Sequence, residues 1–319
     1  MMDFFDSNAV LIQATFIGLV LALSVQVPLR MGVFSFAGAG SYGIGAYFGG
    51  IITLKYELPG ITVVLITAVV TAFIGLLLGL LISRLAGLYL AMATVAFDLI
   101  VSVVAINGGE LTGGPTGIFG VLSEFGTWHV IVVSLVVLAL VAVSEIGRTG
   151  RRVDAVRDDP ELAASVGISV RRYRLVAFIV SGALGGAAGA MNILVRSTVT
   201  PQDIGFGLIV LALTMIIVGG ARSWKGAVLG AVIFTWLPEV LTVVGDWQPL
   251  IYGIIVALAA IFLPRGIHGL FVDSRRALQR RRREKASGGP AGVAGDDDDD
   301  SGSKVIETLK ESSEVEATS

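Results

Sequence analysis

The chain has 319 residues, of which 54% are hydrophobic and 15% are charged, and its formal net charge at pH 7 is −2. It contains no cysteine, which excludes disulfide bonds and thiolate metal sites. Several apolar runs approach or exceed the roughly 20 residues that cross a bilayer as an α-helix. The composition therefore predicts an all-α protein, a polytopic bundle of transmembrane helices.

In chain order, the apolar runs predict about nine membrane spans. Two of them, 88–106 and 206–219, are short or interrupted by glycine, so they can be tilted, broken or re-entrant rather than full crossings. The predicted spans lie at residues 8–28, 33–54, 60–83, 88–106, 128–146, 174–196, 206–219, 226–244 and 248–264.

The second predicted span is unusually rich in glycine. In a soluble helix each glycine costs ~1 kcal/mol relative to alanine, so such a segment either packs backbone against backbone or is not a regular helix throughout. Two interpretations follow: tight helix packing, or a glycine-lined passage for a compact solute. A Gly-x-Gly-x-x-Gly match within it lacks a preceding strand, which argues against dinucleotide binding. We predict the passage at Gly38, Gly40, Gly43 and Gly45.

Ionisable residues within the predicted spans are few, and Asp98 in the fourth span is the most prominent. Carriers driven by protons or sodium usually need a buried carboxylate as their coupling site, although such a side chain can equally bond to backbone or hydroxyl groups in a bundle. The scarcity of such groups favours a permease that is energised by another protein. Asp98 is assigned to the predicted translocation pathway.

The basic loop at residues 147–173 contains a short helix with its own start and stop signals. Asp159 can cap its N-terminus, Pro160 suits the first helical position, and Gly167 can adopt the left-handed conformation just past its end. About two turns of helix are marginal alone in water, so this helix needs a surface to rest on. We predict docking on another protein; the alternative is a capped loop helix packed on its own chain. The small apolar side chains available for contact are Leu162, Ala163, Ala164 and Val166.

The distribution of lysine and arginine predicts the orientation. If nine spans cross and the 147–173 loop is inside, the cytoplasmic side receives 11 basic residues before the C-terminal segment, and only Lys55 and Arg196 lie outside. The N-terminus is then outside and the C-terminus inside. Residues 1–6 carry two acids and no base, and no small-residue cleavage site closes the first apolar run, so we expect no cleaved signal peptide.

The chain divides into a transmembrane domain, 1–273, and a tail, 274–319. The tail has four arginines at 280–283 and five aspartates at 296–300, and it lacks apolar periodicity. This composition predicts a disordered cytoplasmic tail that is first basic and then acidic.

Metal and nucleotide chemistry are not predicted for this chain. His129 and His268 are far apart in sequence and have no ligand spacing around them, so we expect no metal site. The sequence has no Gly-x-x-x-x-Gly-Lys-Ser/Thr run, so it carries no P-loop ATPase of its own.

Several segments, in this order along the chain, resemble the permeases of branched-chain amino acid ABC importers (the LivM/LivH-type family). The 147–173 loop resembles the EAA-type coupling loop of ABC importer permeases, with a glycine six residues after Glu161 and with Leu162 in place of the first alanine. The likeness covers about residues 8–270. The matching segments are Gly-Leu-Tyr at 87–89, Leu-Thr-Gly-Gly-Pro-Thr-Gly at 111–117, Arg-Asp-Asp-Pro-Glu at 157–161, Arg-Tyr-Arg-Leu-Val-Ala-Phe at 172–178, Pro201, and Ile-Val-Gly-Gly-Ala-Arg-Ser-Trp-Lys-Gly at 217–226.

The resemblance implies a permease subunit of an ATP-driven importer. Its partners would be a second permease subunit, two cytoplasmic ABC ATPase subunits that bind ATP and Mg²⁺, and an extracytoplasmic solute-binding protein. No cofactor is expected on this chain, no nucleic acid partner is expected, and the chain is expected not to be an enzyme. Coupling to the ATPases falls on Asp159, Pro160, Glu161, Leu162, Ala163, Ala164 and Gly167.

The same resemblance implies a cellular location and a transported substrate. The protein would lie in a bacterial-type plasma (inner) membrane and translocate leucine, isoleucine and valine. The 107–127 loop has seven glycines and no lysine or arginine, so it is predicted to face the solute-binding protein, and Thr112, Gly113 and Gly114 are added to the pathway. Two alternatives stay open: an ABC permease for urea or another small neutral solute, and an ion-coupled secondary carrier that uses Asp98.

Overall fold

The structure is a computed structural model that describes residues 8–82 and 84–262. The predicted tail, 274–319, lies outside the described residues. Within them the chain forms eleven α-helices and one two-stranded antiparallel sheet. The helices are α1 (Ala9–Arg30), α2 (Ala37–Tyr56), α3 (Gly60–Ile82), α4 (Gly87–Asn107), α5 (Thr127–Ser144), α6 (Gly147–Asp158), α7 (Pro160–Ser165), α8 (Val170–Arg196), α9 (Phe206–Gly219), α10 (Trp224–Val240) and α11 (Gln248–Phe262).

Every predicted span coincides with a helix, and the all-α class is confirmed. Among the described residues, six helices are long and apolar enough to cross a membrane: α1, α3, α4, α5, α8 and α10, the last with the short helical turn after it. The fourth of the predicted spans is a continuous helix, α4, rather than a broken one. The helix α9 has 14 residues, or about 21 Å, which is shorter than the hydrocarbon core. A total of nine crossings therefore stays a prediction.

The helix α8 lies at the centre of the bundle, where it packs along α2, α3 and α1. Its glycines allow close backbone approach: Gly186 faces Gly45 of α2, and Gly182 faces the Thr71 carbonyl of α3. Small residues at such crossings let helix backbones touch, which strengthens dispersion contacts where lipid offers no hydrophobic driving force. The glycines that lower the helix propensity of these segments are therefore the residues that join them.

The remaining long helices surround this centre. The helix α4 packs mainly on α2 and α5 on α1, while α9 and α10 pack on each other and on α1. Their outward faces carry large apolar side chains in contact with the surroundings, such as Val69, Ile100 and Leu140. Extensive apolar exposure of this kind is unfavourable in water and suits a lipid environment or a partner helix.

Two irregular segments meet at one end of the bundle. The strand β1 (Ile118–Phe119) pairs antiparallel with β2 (Thr198–Val199), so that Ile118 lies opposite Val199. The Ser123 hydroxyl donates to the Leu194 carbonyl of α8 at 2.8 Å. These bonds fasten the 107–127 loop over the C-terminal end of α8.

Candidate functional site

The predicted short helix is preceded by a second helix that the sequence analysis did not predict. This helix, α6, is strongly polar on one side and buries Gly150, Val153 and Val156 on the other. A Cβ atom added at Gly32, just after α1, would lie 3.2 Å from the Cα atom of Arg157. The helix α6 therefore rests on the end of α1. We call residues 145–169 the coupling segment.

The start of α7 has the cap that the sequence predicted. One carboxylate oxygen of Asp159, Oδ1, accepts the backbone N–H of Glu161 at 3.1 Å and that of Leu162 at 2.9 Å, and Pro160 occupies the first helical position. These bonds satisfy two amides that otherwise lack an intrahelical acceptor. The acidic Glu161 lies in the first turn, where the helix dipole favours negative charge.

The end of α7 is also fixed by local bonds. The backbone N–H of Gly167 donates to the Ala164 carbonyl and that of Ile168 to the Ala163 carbonyl, each at 3.0 Å. Gly167 has a φ of +82°. This is the Schellman arrangement, which needs a residue in the left-handed region after the helix. Glycine adopts that region without the steric cost that a side chain brings.

Only one residue of α7 is fully buried on its own chain. Ala163 is 2% exposed, whereas Leu162 is 62% and Val166 is 68% exposed. Residues four apart lie on the same side of a helical turn, so Leu162 and Val166 form one apolar face directed away from the bundle. Ala164 and Glu161 are exposed as well. The segment thus combines both interpretations of the sequence: it rests on its own chain and offers a free apolar face.

A buried ion pair lies at the base of the coupling segment. The Glu145 carboxylate forms an ion pair with the Arg30 guanidinium at 3.4 Å. It also accepts hydrogen bonds from the Trp224 backbone N–H at 2.8 Å and from the Ser223 hydroxyl at 3.1 Å. Both charged side chains are largely buried, and hydrogen bonds compensate such a charge for its lost hydration. Glu145 therefore joins the ends of α1 and α5 to the start of α10. We call this group the Glu145 junction.

A second, exposed charge pair lies at the C-terminal end of α6. The Arg157 Nε donates to a carboxylate oxygen of Asp158 at 3.0 Å. This hydrogen bond and the positive charge of Arg157 lower the pKa of Asp158, with a smaller contribution from Arg222. Arg222 belongs to the corner between α9 and α10, so this contribution comes from a separate part of the chain.

The predicted glycine passage coincides with helix contacts in this structure. A Cβ atom added at Gly40 would lie 2.7 Å from the Phe97 ring of α4, and one added at Gly43 would lie 3.1 Å from Val101. Gly38 faces Ser24 and Ser181, and Gly45 faces Gly186. The glycines therefore serve close packing here. Their role in a passage stays a prediction.

Asp98 is fully buried beside the same contacts, since Gly40 packs against its Cα atom. In the part of the chain that the structure describes, neither carboxylate oxygen has a hydrogen-bond partner. Thr112, Gly113 and Gly114 lie at the far end of α4, in two short turns where the Thr112 hydroxyl accepts the Gly114 N–H at 3.3 Å. The structure brings Gly40 and Asp98 together but leaves Thr112–Gly114 apart from them.

No sequence pattern assigned Arg30, Ser223 or Trp224 to a site. Glu145 was not assigned to a site either, although it is an acid close to the inner boundary of a predicted span. Its position near basic residues was the available signal, because a buried acid needs a partner that compensates its charge. Nothing in the sequence indicated which arginine would be that partner.

A family profile described as branched-chain amino acid transport system, permease component, matches residues 8–263. The high-affinity branched-chain amino acid transport system permease protein LivM of Escherichia coli K12 is 28% identical over 288 residues, covering 79% of this chain and 68% of that protein. LivM of Salmonella typhimurium gives the same identity and coverage. A probable branched-chain amino acid transport permease protein, LivH of Methanocaldococcus jannaschii, is 32% identical over 183 residues, covering 52% of this chain and 58% of that protein.

No solved structure matches the chain. The family match extends over all the helices described above, from α1 to α11. Transport subunits, rather than enzymes, make up this family. The chain belongs to the family of permease components of branched-chain amino acid transport systems.

Proposed function

We propose that the chain is the membrane permease of an ATP-driven importer and translocates leucine, isoleucine or valine delivered by a solute-binding protein. The observation that carries this proposal is the coupling segment: a capped helix, α7, whose Leu162 and Val166 are exposed while Ala163 is buried. An exposed apolar face on a two-turn helix suits the groove of a partner. Because the chain belongs to a family of transport permeases, we assign this partner to the ABC ATPases.

The coupling segment is built to transmit motion. ATPase subunits that close on ATP and Mg²⁺ would displace α7, and α6 would pass the displacement to the end of α1 through the contact between Gly32 and Arg157. The Glu145 junction would carry it to α10. A second permease subunit would complete the path, and two ATPases would supply the energy.

The buried side chains of the bundle indicate the general type of substrate. The buried polar groups of the described helices are mostly hydroxyls and single amides, and the buried hydrophobic residues are aliphatic or aromatic. Such an interior suits a compact solute without net charge and is unfavourable for polyanions. The relatives named for branched-chain amino acid transport narrow the choice to leucine, isoleucine and valine.

The proposed orientation places the coupling segment inside a bacterial-type plasma membrane and the 107–127 loop outside. The chain has no cysteine, so single cysteines can be introduced without background labelling. Both Thr116 and Ser165 are exposed in the structure, so labelling at each depends on the side of the membrane that the reagent reaches. In intact cells, an impermeant thiol reagent should label Thr116→Cys and leave Ser165→Cys unlabelled. The reverse pattern would overturn the orientation.

One observation favours a second function. Asp98 is a fully buried carboxylate without a hydrogen-bond partner among the described residues, and an ion-coupled carrier would use such a group to bind a proton or sodium ion. Uptake that survives ATP depletion but collapses with an uncoupler would support this carrier. Uptake that follows ATP and ignores the uncoupler would exclude it.

The substrate is tested by uptake of labelled leucine and labelled urea at low external concentration, in cells with and without the gene. We expect leucine uptake to fall when the gene is deleted and to return with the wild-type gene. Leu162→Asp should fail to restore it, because a charge on the exposed face of α7 opposes apolar docking, whereas Leu162→Met, which keeps that face apolar and of similar volume, should restore it. Unchanged leucine uptake with lost urea uptake would refute the amino acid assignment.

A further inference from the structure

A cavity of about 450 Å³ lies between α1, α8, α9 and α10. The helix α8 begins directly after the coupling segment and ends at Arg196 in the wall of this cavity. The cavity is therefore at the end of the bundle opposite the coupling segment. Its volume is in the range of cavities that bind small molecules.

One wall of the cavity carries unpaired polar groups from α8. Asn192 and Arg196 are four residues apart on this helix and so lie on the same side of it. Asn192 is only 7% exposed, yet within residues 8–82 and 84–262 no hydrogen bond is formed by its side chain or by that of Arg196. The guanidinium has five N–H donors in a fixed plane, which fit the two oxygens of a carboxylate.

Two acids face the same space from other elements. Asp203 follows α8 in a short helical turn, where its Oδ2 accepts the Thr200 N–H at 2.9 Å and the Thr200 hydroxyl at 2.8 Å. Glu239 comes from the end of α10. Among the described residues, neither acid forms an ion pair with Arg196. Charges of both signs therefore line one cavity without neutralising each other directly.

The rest of the wall is apolar. Leu208, Leu211 and Met215 of α9 face Phe234 of α10 across the cavity. Gly18 of α1 forms part of this surface, and a Cβ atom added there would lie 3.3 Å from the Met215 Cε. The Met215 side chain therefore fills the space that a side chain at residue 18 would need, and α1 and α9 meet closely at this part of the wall.

We propose that this cavity is a reception site for a zwitterionic α-amino acid with an apolar side chain. Arg196 and Asn192 bind the carboxylate, Glu239 and Asp203 attract the ammonium group, and the aliphatic side chain lies against Leu208, Met215 and Phe234. Charge-assisted hydrogen bonds of this kind discriminate against uncharged amides such as urea, which carry neither full charge. The proposal rests on the proposed function, because it supplies the site at which the released amino acid first enters the permease.

The test uses the assembled transporter, purified with its partner subunits in lipid nanodiscs and without the solute-binding protein. A leucine analogue with a photoreactive diazirine side chain is crosslinked by light, and the labelled peptides are identified by mass spectrometry. We expect labels on α9 and α10, suppressed by excess leucine and not by excess urea. Arg196→Gln should reduce this labelling by about tenfold, the loss typical of one charge-assisted hydrogen bond. Arg196→Lys should keep part of it.

Lys55→Gln is the matched control, since Lys55 is an exposed base at the same end of the bundle but does not line the cavity. It should label like the wild type. If Arg196→Gln does not assemble, Glu239→Gln takes its place, with Glu57→Gln as its control, and a loss of labelling is again expected. Undiminished labelling in the assembled variants, or labels confined to other helices, would overturn the site. Failure of the wild-type transporter to take up leucine would instead refute the proposed function.

Discussion

The centre of the bundle and the coupling segment are built in opposite ways. At the centre, α2 and α8 touch backbone to backbone through Gly45 and Gly186, so there is almost no free volume between them. In the coupling segment, α7 is fixed by bonds within its own turns and by the single buried side chain of Ala163. Backbone contacts between two helices and hydrogen bonds within one short helix therefore respond differently to a substitution. Under the proposed function, the ATPases would act on a stiff core through a short helix that is stabilised by its own local bonds.

The largest expected effect breaks the core. In Gly45→Val, even the Cβ atom would lie 2.7 Å from the Gly186 carbonyl carbon, and backbone on both sides cannot yield without separating the helices. We expect destabilisation of at least about 3 kcal/mol, the upper part of the range for overpacking. Detergent-solubilised protein that elutes as a single species should be largely lost.

Gly207→Val supplies the control for that variant. Gly207 lies on α9 with no atom within 4 Å of an added Cβ. It should be recovered in wild-type amounts. Equal recovery of both variants would mean that the α2–α8 contact is not tight in the working protein.

The next effect concerns the link between the two regions. Glu145→Gln removes the charge that Arg30 faces and replaces one acceptor oxygen with a donor, opposite either the Trp224 N–H or the Ser223 hydroxyl. Removing one partner of a buried pair leaves the other charge uncompensated, at a cost of about 3 kcal/mol. We expect a bundle that still inserts, with a lower melting temperature and at least tenfold slower uptake.

Asp154→Asn is the matched change in the same segment. Asp154 pairs with Arg157 at 3.4 Å but is half exposed, so the pair contributes little. Uptake in this variant should stay close to that of the wild type. An equal loss in both variants would show that the coupling segment responds to any loss of charge, not to the Glu145 junction.

The sequence predicted the local part of this design and not the long-range part. Asp159, Pro160 and Gly167 act within their own turns, so their residue types alone were enough to place α7. The Glu145 junction joins Glu145 to Trp224, 79 positions later in the chain, and to Arg30 in the first helix, and no local pattern identifies such partners. The helix α6 was missed for a different reason: its sequence is polar, and only Val153 and Val156 mark a buried side. Glycine spacing predicted helix packing but could not say which helix each glycine meets.

A smaller loss of stability is expected at the end of α7, where Gly167 lies. In Gly167→Val no added atom would clash, so the cost is confined to a β-branched residue at a φ of +82°. Strain of this kind is about 1–3 kcal/mol. We expect normal insertion, with weaker co-purification of the ATPase subunits and loss of uptake. Gly167→Asn, which tolerates positive φ better, should retain most of both. Wild-type ATPase association in Gly167→Val would contradict the role of α7 in docking.

The smallest effect is expected at Asp158, an exposed residue at the end of α6. The hydrogen bond from Arg157 lowers the pKa of this carboxyl, so its contribution to stability is present above the pKa of the unfolded chain, about 4, and is lost as the pH falls through the lower folded value. Between pH 5 and pH 8 the group is ionised in both states, and no pH dependence arises from it. The side chain is also exposed, so solvent screens the pair. Asp158→Asn should therefore melt within about 2 °C of the wild type at both pH 5 and pH 7, since exposed pairs contribute less than about 1 kcal/mol. A much larger shift of the melting temperature at pH 7 would show that Asp158 pairs with Arg222 as well as with Arg157. The coupling segment would then be attached to the corner between α9 and α10 as well as stabilised by its local bonds.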